Sequence, residues 1–576
     1  RACCYDPSGS KIIVGLGGRV GKGRQKKDGA FLVVNEDDLS VAHESRDAKQ
    51  WISDIKFAPD QNTVAIASRD NKIYLYDVPS AFELKAVMDK HNSYVHQIDF
   101  SADSAYLQSC CGAFEYLCSD AEDGAAIPAI STLKDVRWDS WTLPIGWPVQ
   151  GVWPKHSDGT DIRTCHRSNF GSLLLTGDNY GRLRLWKYPA LDPDSGNKLY
   201  HGHGQDISKV RFAPEDDYAV SIGGKDRAIM QWKVLPFELD SALKAEDSGH
   251  DSDIDREGFF EDLDEDLEEF LAIKPWVGST VPPTVPPLGV PTPPEMKLEL
   301  EHVYGFRSKD VRNNLFYNAN GSVVYHAAQI GIIYDKGNHM QQFYNKHCSG
   351  DIISLTVSPC GQYAASGDEE SRPTIHIWSA LNGHAICVLP QYHRRAIGLI
   401  SFSSDGKHLI TIGQDNNHTH AIYTSLSGSW ADPFLQATAK GSRLKTLFTS
   451  FIPHGDFLLV SGGTNQILFW TISGKCLEST SGIFGRKAKD QPLLCGATHG
   501  RKVVTGTVSG HLYVWEGTHV GRAIKAHDMS VNVLRSIEIG FISGGKEGGV
   551  KIWDTYCNQL KAFAIDDFVP RPHACS

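Results

Sequence analysis

The sequence predicts an all-β chain built from β-propellers in tandem, on three observations. The first is a period. Short strand patterns bearing an aromatic at or next to their last position recur at 73–77, 183–186, 229–232, 375–378, 467–470, 512–515 and 550–554. Trp186 and Trp232 are 46 residues apart, and Trp378, Tyr423, Trp470, Trp515 and Trp553 follow at intervals of 45, 47, 45 and 38. A repeat of this length, with four short strands per unit, marks a propeller blade. The second is composition: 54 Gly but only 5 Met in 576 residues, with Val, Ile and aromatics prominent, favours strands and tight turns over long helices. The third is an absence. No run of 18 apolar residues exists, which argues against a membrane-spanning helix. No apolar signal segment follows Arg1 either.

Within a unit the order of elements repeats. Ile207 to Phe212 alternates as a half-buried strand, and Ala213-Pro214-Glu215-Asp216-Asp217 makes the turn. Tyr218 to Gly224 is a buried run, Lys225-Asp226 turns again, and Ile229 to Trp232 is the third strand. The same layout spans Ile352 to Trp378, with Pro359 and Gly361 at the turn, and Ile397 to Tyr423, with Asp405-Gly406. This is the WD40-type blade. Five such units fit in 1–234 and five in 346–555, too many for one ring and so read as two propellers. Each set falls short of a closed ring, so the chain is read as beginning and ending inside larger repeats.

Some blades carry polar residues where a buried hydrogen-bond chain is expected: His203, Ser221, Asp226 and Trp232 in one, His527, Ser543 and Trp553 in another. A His/Ser/Asp set invites comparison with a hydrolase. Its recurrence blade by blade favours structure, because a buried polar network must be satisfied to be tolerated. Glu547 replaces the usual Asp in the last blade, so that network is expected to be weakened or rearranged. No nucleophile elbow, paired catalytic carboxylates or metal-ligand spacing appears, so neither catalysis nor a cofactor is expected.

The net charge of −11 is concentrated. Residues 246–270 hold 13 acidic residues and one basic residue, Arg256, leaving the rest of the chain near neutral. This stretch lacks periodicity and reads as disordered or loosely held. Asp251, Asp253 and Asp255 resemble the start of a calcium loop, but Arg256 stands where Gly is needed and Asp262 where Glu closes the site. Seven prolines in 281–294 read as an extended spacer. The 13 cysteines contain no CxxC pair and read as reduced thiols.

After the spacer comes Val303-Tyr304-Gly305-Phe306-Arg307, then Arg312-Asn313-Asn314-Leu315, then Gly321 to Tyr325. This resembles the hydrophobic HELP motif of the echinoderm microtubule-associated protein-like family. In the first half, Trp153-Pro154, Leu175-Thr176-Gly177-Asp178 and Gly223-Gly224-Lys225-Asp226 resemble that family's second propeller. The resemblance implies atypical tandem propeller modules: a propeller at 1–234, an acidic then Pro-rich linker at 235–296, the motif at 297–345 packed into a propeller, and the next propeller at 346–576. A second-type propeller ahead of a motif and a first-type propeller fits the long, multi-module members. Tyr304, Phe306, Arg312, Asn313, Asn314 and Tyr325 are then structural. The alternation of aromatics with polar residues predicts that Tyr304, Phe306 and Tyr325 are buried, with Tyr304→Ala costing about 3–5 kcal/mol.

The resemblance implies a scaffold that binds tubulin and modulates microtubule stability, in the cytoplasm and cytoskeleton. A ciliary axoneme, with other axonemal proteins as further partners, is one setting. Nucleic acid and membrane are not expected partners. A soluble WD40 adaptor, in ubiquitin ligation or signalling, is the other reading. One departure from the family is a basic segment, Arg19, Lys22, Arg24, Lys26 and Lys27. It is not a phosphate loop, because Gly23 stands where Ser or Thr must follow the Lys. It reads either as a solvated basic loop or, from its charge, as a contact for an acidic partner such as tubulin.

Overall fold

The computed structural model describes residues 2–17, 29–153, 162–193, 195–237, 275–287, 289, 291–347, 350–453 and 456–567. The basic segment 19–27 and the acidic stretch 246–270, with its calcium-like aspartates, lie outside these residues. The chain divides into two units. The first comprises Arg1–His201, Gln205–Lys225 and Ile229–Glu301; the second comprises Gly202–Gly204, Asp226–Ala228 and His302–Ser576. No helix among the described residues is long and apolar enough to cross a membrane.

Among the described residues of the first unit, five antiparallel sheets follow in sequence order. The third, Val95–Phe100, Tyr106–Cys111 and Tyr116–Asp120, has only three strands. The fifth is completed from a distance. Its third strand, Ile229–Pro236, is followed in the sheet by Met296–Tyr304, so the chain leaves this blade and returns after the acidic and Pro-rich stretch. Tyr200 Oη accepts from Leu298 N at 2.8 Å, and Gln231 Nε2 donates to Glu301 at 2.7 Å.

The Pro-rich stretch, expected as a spacer, lies against the first unit. Thr284 N and Oγ1 donate to Asp135 at 2.7 and 2.6 Å, and Gly196 N donates to Pro291 O at 2.9 Å. Trp276 is buried in the same core as Trp141 and Trp153. These contacts predict the behaviour of a nicked chain. A protease site placed between Ser248 and Asp253 should allow cleavage without separating the products on a native sizing column. Release of the N-terminal fragment without denaturant would contradict the pairing of Met296–Glu301 with the fifth blade.

Within 316–563 of the second unit the described strands make six four-stranded blades. Two share an edge, where Phe434–Ala439 meets Cys476–Ser481 in parallel through Thr438 and Cys476. Inner strands are mostly buried and outer ones exposed. Ile375–Ser379, third in its blade, is buried at four of five positions, while Gln559–Phe563, at an edge, is exposed at four of five.

Blade-to-blade packing uses a recurring device. A Gly near the end of the second strand faces a β-branched residue that opens the next blade. A Cβ on Gly177 would come within 2.6 Å of Ile207 Cγ2, and one on Gly367 within 2.6 Å of Ile397 Cβ. Glycine here makes room for the neighbouring blade. The first strand is also bulged near its start, as at Ile352/Ser354 and Ile397/Leu399, which adds local twist.

Candidate functional site

The aromatic period marks buried rings with polar anchors. Trp378 Nε1 donates to Ser366 Oγ at 3.0 Å, Trp470 to Ser461 at 2.8 Å, Trp515 to Thr505 at 3.0 Å and Trp553 to Ser543 at 2.8 Å. An indole N–H buried in a core needs an acceptor, and the second strand supplies it. Of the expected network residues, His203 Nδ1 bonds Asp226 at 2.7 Å, and Trp232 Nε1 donates to Ser221 at 2.9 Å. His527 Nε2 bonds Ser543 at 2.8 Å, and its Nδ1 bonds Glu547. The last blade, where a weakened or rearranged network was expected, keeps the histidine–carboxylate bond with Glu547 in place of Asp. The longer carboxylate still reaches the ring. Burial holds other histidines neutral: His393 and His420 are lowered to about 4, and His326 and His376 to about 3.

The motif segment is a clasp whose buried member is not the expected one. Tyr304 and Phe306 are 50% and 47% exposed, which corrects their expected burial. The cause is a slip in alternation along Met296–Tyr304. Leu298, Leu300 and His302 face inward in turn, and then Val303 is buried and Tyr304 turns out. Tyr304 rests on His302, with ring centroids 4.4 Å apart, and Phe306 meets Tyr325 edge-on at 6.1 Å. Tyr325 is half-buried. Arg312 is exposed and donates to Leu494 O at 3.2 Å; Asn313 is exposed with a φ of 53°. Asn314 is buried and its Nδ2 donates to Arg307 O at 2.5 Å.

Arg307, which closes the Val303–Arg307 run of the motif, is the hub. Its guanidinium is buried and donates to both Asp310 oxygens at 2.9 and 2.8 Å, to Asp351 at 2.7 Å and to Glu369 at 3.3 Å. Bidentate geometry of this kind suits Arg and not Lys. Burial pushes the Asp351 carboxyl up to about 6 despite the guanidinium beside it. An Arg three residues before an Asp was the visible signal; its partners at 351 and 369 had none.

One end of the second unit's blades is rich in cations. In an antiparallel four-stranded blade, the turn from second to third strand shares an end with the link from the fourth strand to the next blade. The link 440–445 carries Lys440, Arg443 and Lys445, and the link 482–492 carries Arg486, Lys487 and Lys489 against Asp490. All six cations are exposed. Among the described residues none of the six forms an ion pair. The neighbouring turn confirms the shared end: Thr464 N donates to Lys445 O at 3.0 Å. The opposite end of these and adjoining blades carries Asp405, Asp432, Asp456 and Glu538 against Lys407, Lys475 and Arg501. The basic segment 19–27 belongs to the connection between Lys11–Gly15 and Phe31–Asn35, the second and third strands of their sheet.

Comparison with known proteins places this architecture. Residues 1–234 match the model for the second β-propeller of echinoderm microtubule-associated protein, 293–332 the HELP motif, and 340–575 the first β-propeller. The chain belongs to the echinoderm microtubule-associated protein-like family. It is 36% identical over 234 residues to the 77 kDa echinoderm microtubule-associated protein of Strongylocentrotus purpuratus, covering 40% of this chain and 33% of the relative. It is 32% identical over 235 residues to echinoderm microtubule-associated protein-like 3 of Mus musculus, covering 40% and 25%. The chain thus spans about a third or less of the length of these relatives. The HELP match spans Met296–Tyr304, which completes the fifth blade, and strands of the next blade up to Ile332. In this family member the motif is folded β-structure, held by Arg307 and Asn314.

Proposed function

We propose that the chain is a non-catalytic scaffold that binds the microtubule lattice and modulates its stability and organisation. The cation-rich end of the second unit's blades faces the acidic tubulin surface. The single observation that carries this reading is the clustering at one blade end of six exposed cations in two successive links, none of them in an ion pair among the described residues, where the opposite end carries four acids against three cations. The microtubule-associated names of the relatives support the partner. The basic segment Arg19 to Lys27 is a second contact to the same acidic polymer. The protein acts in the cytoplasm on the cytoskeleton. Its propeller order, second-type before first-type, supports a long multi-module member suited to a repeating lattice such as the axoneme, with axonemal proteins as further partners.

Exposed ion pairs are worth about 0–1 kcal/mol each, so the effect is cumulative and screened by salt. Replacing Lys440, Arg443, Lys445, Arg486, Lys487 and Lys489 with Ser should weaken co-sedimentation with stabilised microtubules at least about ten-fold at low salt. It should also flatten the salt dependence, while the fold is retained. Unchanged pelleting and an unchanged salt slope would move the contact elsewhere. No pelleting by the unaltered chain at low salt would favour the soluble adaptor.

A further inference from the structure

The third sheet of the first unit holds a side-chain group that the blade pattern does not account for. His91 precedes the strand Val95–Phe100, Cys111 ends Tyr106–Cys111, and Glu115 precedes Tyr116–Asp120. Their ligand atoms all lie within 4.8 Å of one another. His91 Nδ1 is 3.5 Å from Glu115 Oε2, and the Cys111 thiol donates to the same oxygen at 3.2 Å. His91 and Cys111 are buried, while the Glu115 side chain is partly open to solvent.

His91 stands apart from its counterparts. His203, His347, His393 and His527 each bond a side-chain oxygen through Nδ1. The His91 side chain is 96% buried, yet its Nδ1 has no hydrogen-bond partner. Its Nε2 lies 2.8 Å from Ser109 Oγ, and that hydroxyl donates onward to Leu117 O at 3.3 Å. In the tautomer whose Nε2–H donates to that hydroxyl, Nδ1 presents its lone pair to the Glu115 carboxylate oxygen 3.5 Å away. A cation between those two acceptors satisfies both, and it selects that tautomer.

We propose that His91 Nδ1, Cys111 Sγ and Glu115 Oε2 form a three-ligand site for a zinc-type divalent cation, with a fourth position open toward solvent. Zinc bonds of about 2.0–2.3 Å at tetrahedral angles put ligand atoms about 3.3–3.6 Å apart; the two edges to Glu115 are 3.5 and 3.2 Å, and the His91–Cys111 edge, within 4.8 Å, closes by a small side-chain shift on binding. The cation takes the place of the thiol proton. The S–H bond breaks, the proton leaves to solvent, an S–metal bond forms, and no electron is transferred. The outer shell is already in place. Asn92 N and Nδ2 donate to the Glu115 carboxylate at 3.0 and 2.5 Å, and Ser109 orients the imidazole. No sequence signature announces the group, because its members come from a blade link, a strand end and a turn.

Cobalt(II) is the probe, titrated into the full chain under reducing conditions. One equivalent should raise a thiolate-to-cobalt charge-transfer band that zinc then displaces. Cys111→Ser should abolish the band, whereas Cys360→Ser, at an exposed cysteine in the second unit, should leave it intact. Glu115→Gln should weaken cobalt binding by about 10–100-fold, the loss that even outer-shell changes reach. Absence of the band, or a band that survives Cys111→Ser, overturns the site. If Cys111→Ser does not fold, Glu115→Gln decides, and an unchanged affinity there overturns it equally.

Discussion

Replacing Arg307 with alanine is expected to destabilise the second unit by about 3–5 kcal/mol. The reason is the charge left behind. Asp351 is 2% exposed, and Arg307 Nη1 is its ion-pair partner at 2.7 Å. Removing the guanidinium strands a carboxylate in the interior and also frees Asp310 and Glu369, which it ties to the same point. In a unit of this size the loss lowers the melting midpoint by about 10 °C. Arg307→Lys should fall between the two, since an ammonium keeps the charge but cannot reproduce the bidentate contact with Asp310. Tyr304→Ala should cost only about 1–2 kcal/mol, because half of that ring is in water. Thermal unfolding of the three variants checks the order. A larger loss at Tyr304 than at Arg307 would return the motif to an aromatic core.

The second large effect is acid sensitivity. Burial lowers His96, His393 and His420 to about 4 and His326 and His376 to about 3, and it holds His166 well below its usual value. In the unfolded chain each titrates near about 6.5. The unfolded chain therefore binds more protons at mildly acidic pH. The stability these residues contribute is present above about 6.5 and is lost as pH falls toward 4 and 3. At full slope each costs about 1.4 kcal/mol per pH unit, so several acting together dominate. Asp351, raised to about 6, acts in the opposite direction, because the folded state takes up its proton first. One carboxyl does not offset six rings. Melting midpoints at constant ionic strength should be level from pH 8 to 7 and fall steeply from 6.5 to 5. A level profile down to pH 5 would contradict the neutral burial of these histidines.

Much of the fold was legible because its signals are local. Trp378, Trp470, Trp515 and Trp553 repeat at blade spacing, and each meets a Ser or Thr one strand away, so sequence period and buried polar partner coincide. Met296–Tyr304 was not legible as part of an earlier blade. Its pairing spans the acidic and Pro-rich stretch, and no local pattern specifies a partner that far back. The same strand misled on Tyr304, since a slip of one residue exchanges faces and leaves composition unchanged. The cation-rich end depends on knowing which links share an end. Lys440 to Lys445 and Arg486 to Lys489 are ordinary charges in sequence and become one surface only through the four-strand topology.

A cryo-EM map of microtubules decorated with this chain decides whether the blade end bearing Lys440, Arg443, Lys445, Arg486, Lys487 and Lys489 meets tubulin. Density in which the links 440–445 and 482–492 face the lattice, with Asp405, Asp432 and Glu538 turned away from it, is expected. A map in which the end carrying those three acids contacts tubulin would rule this contact out.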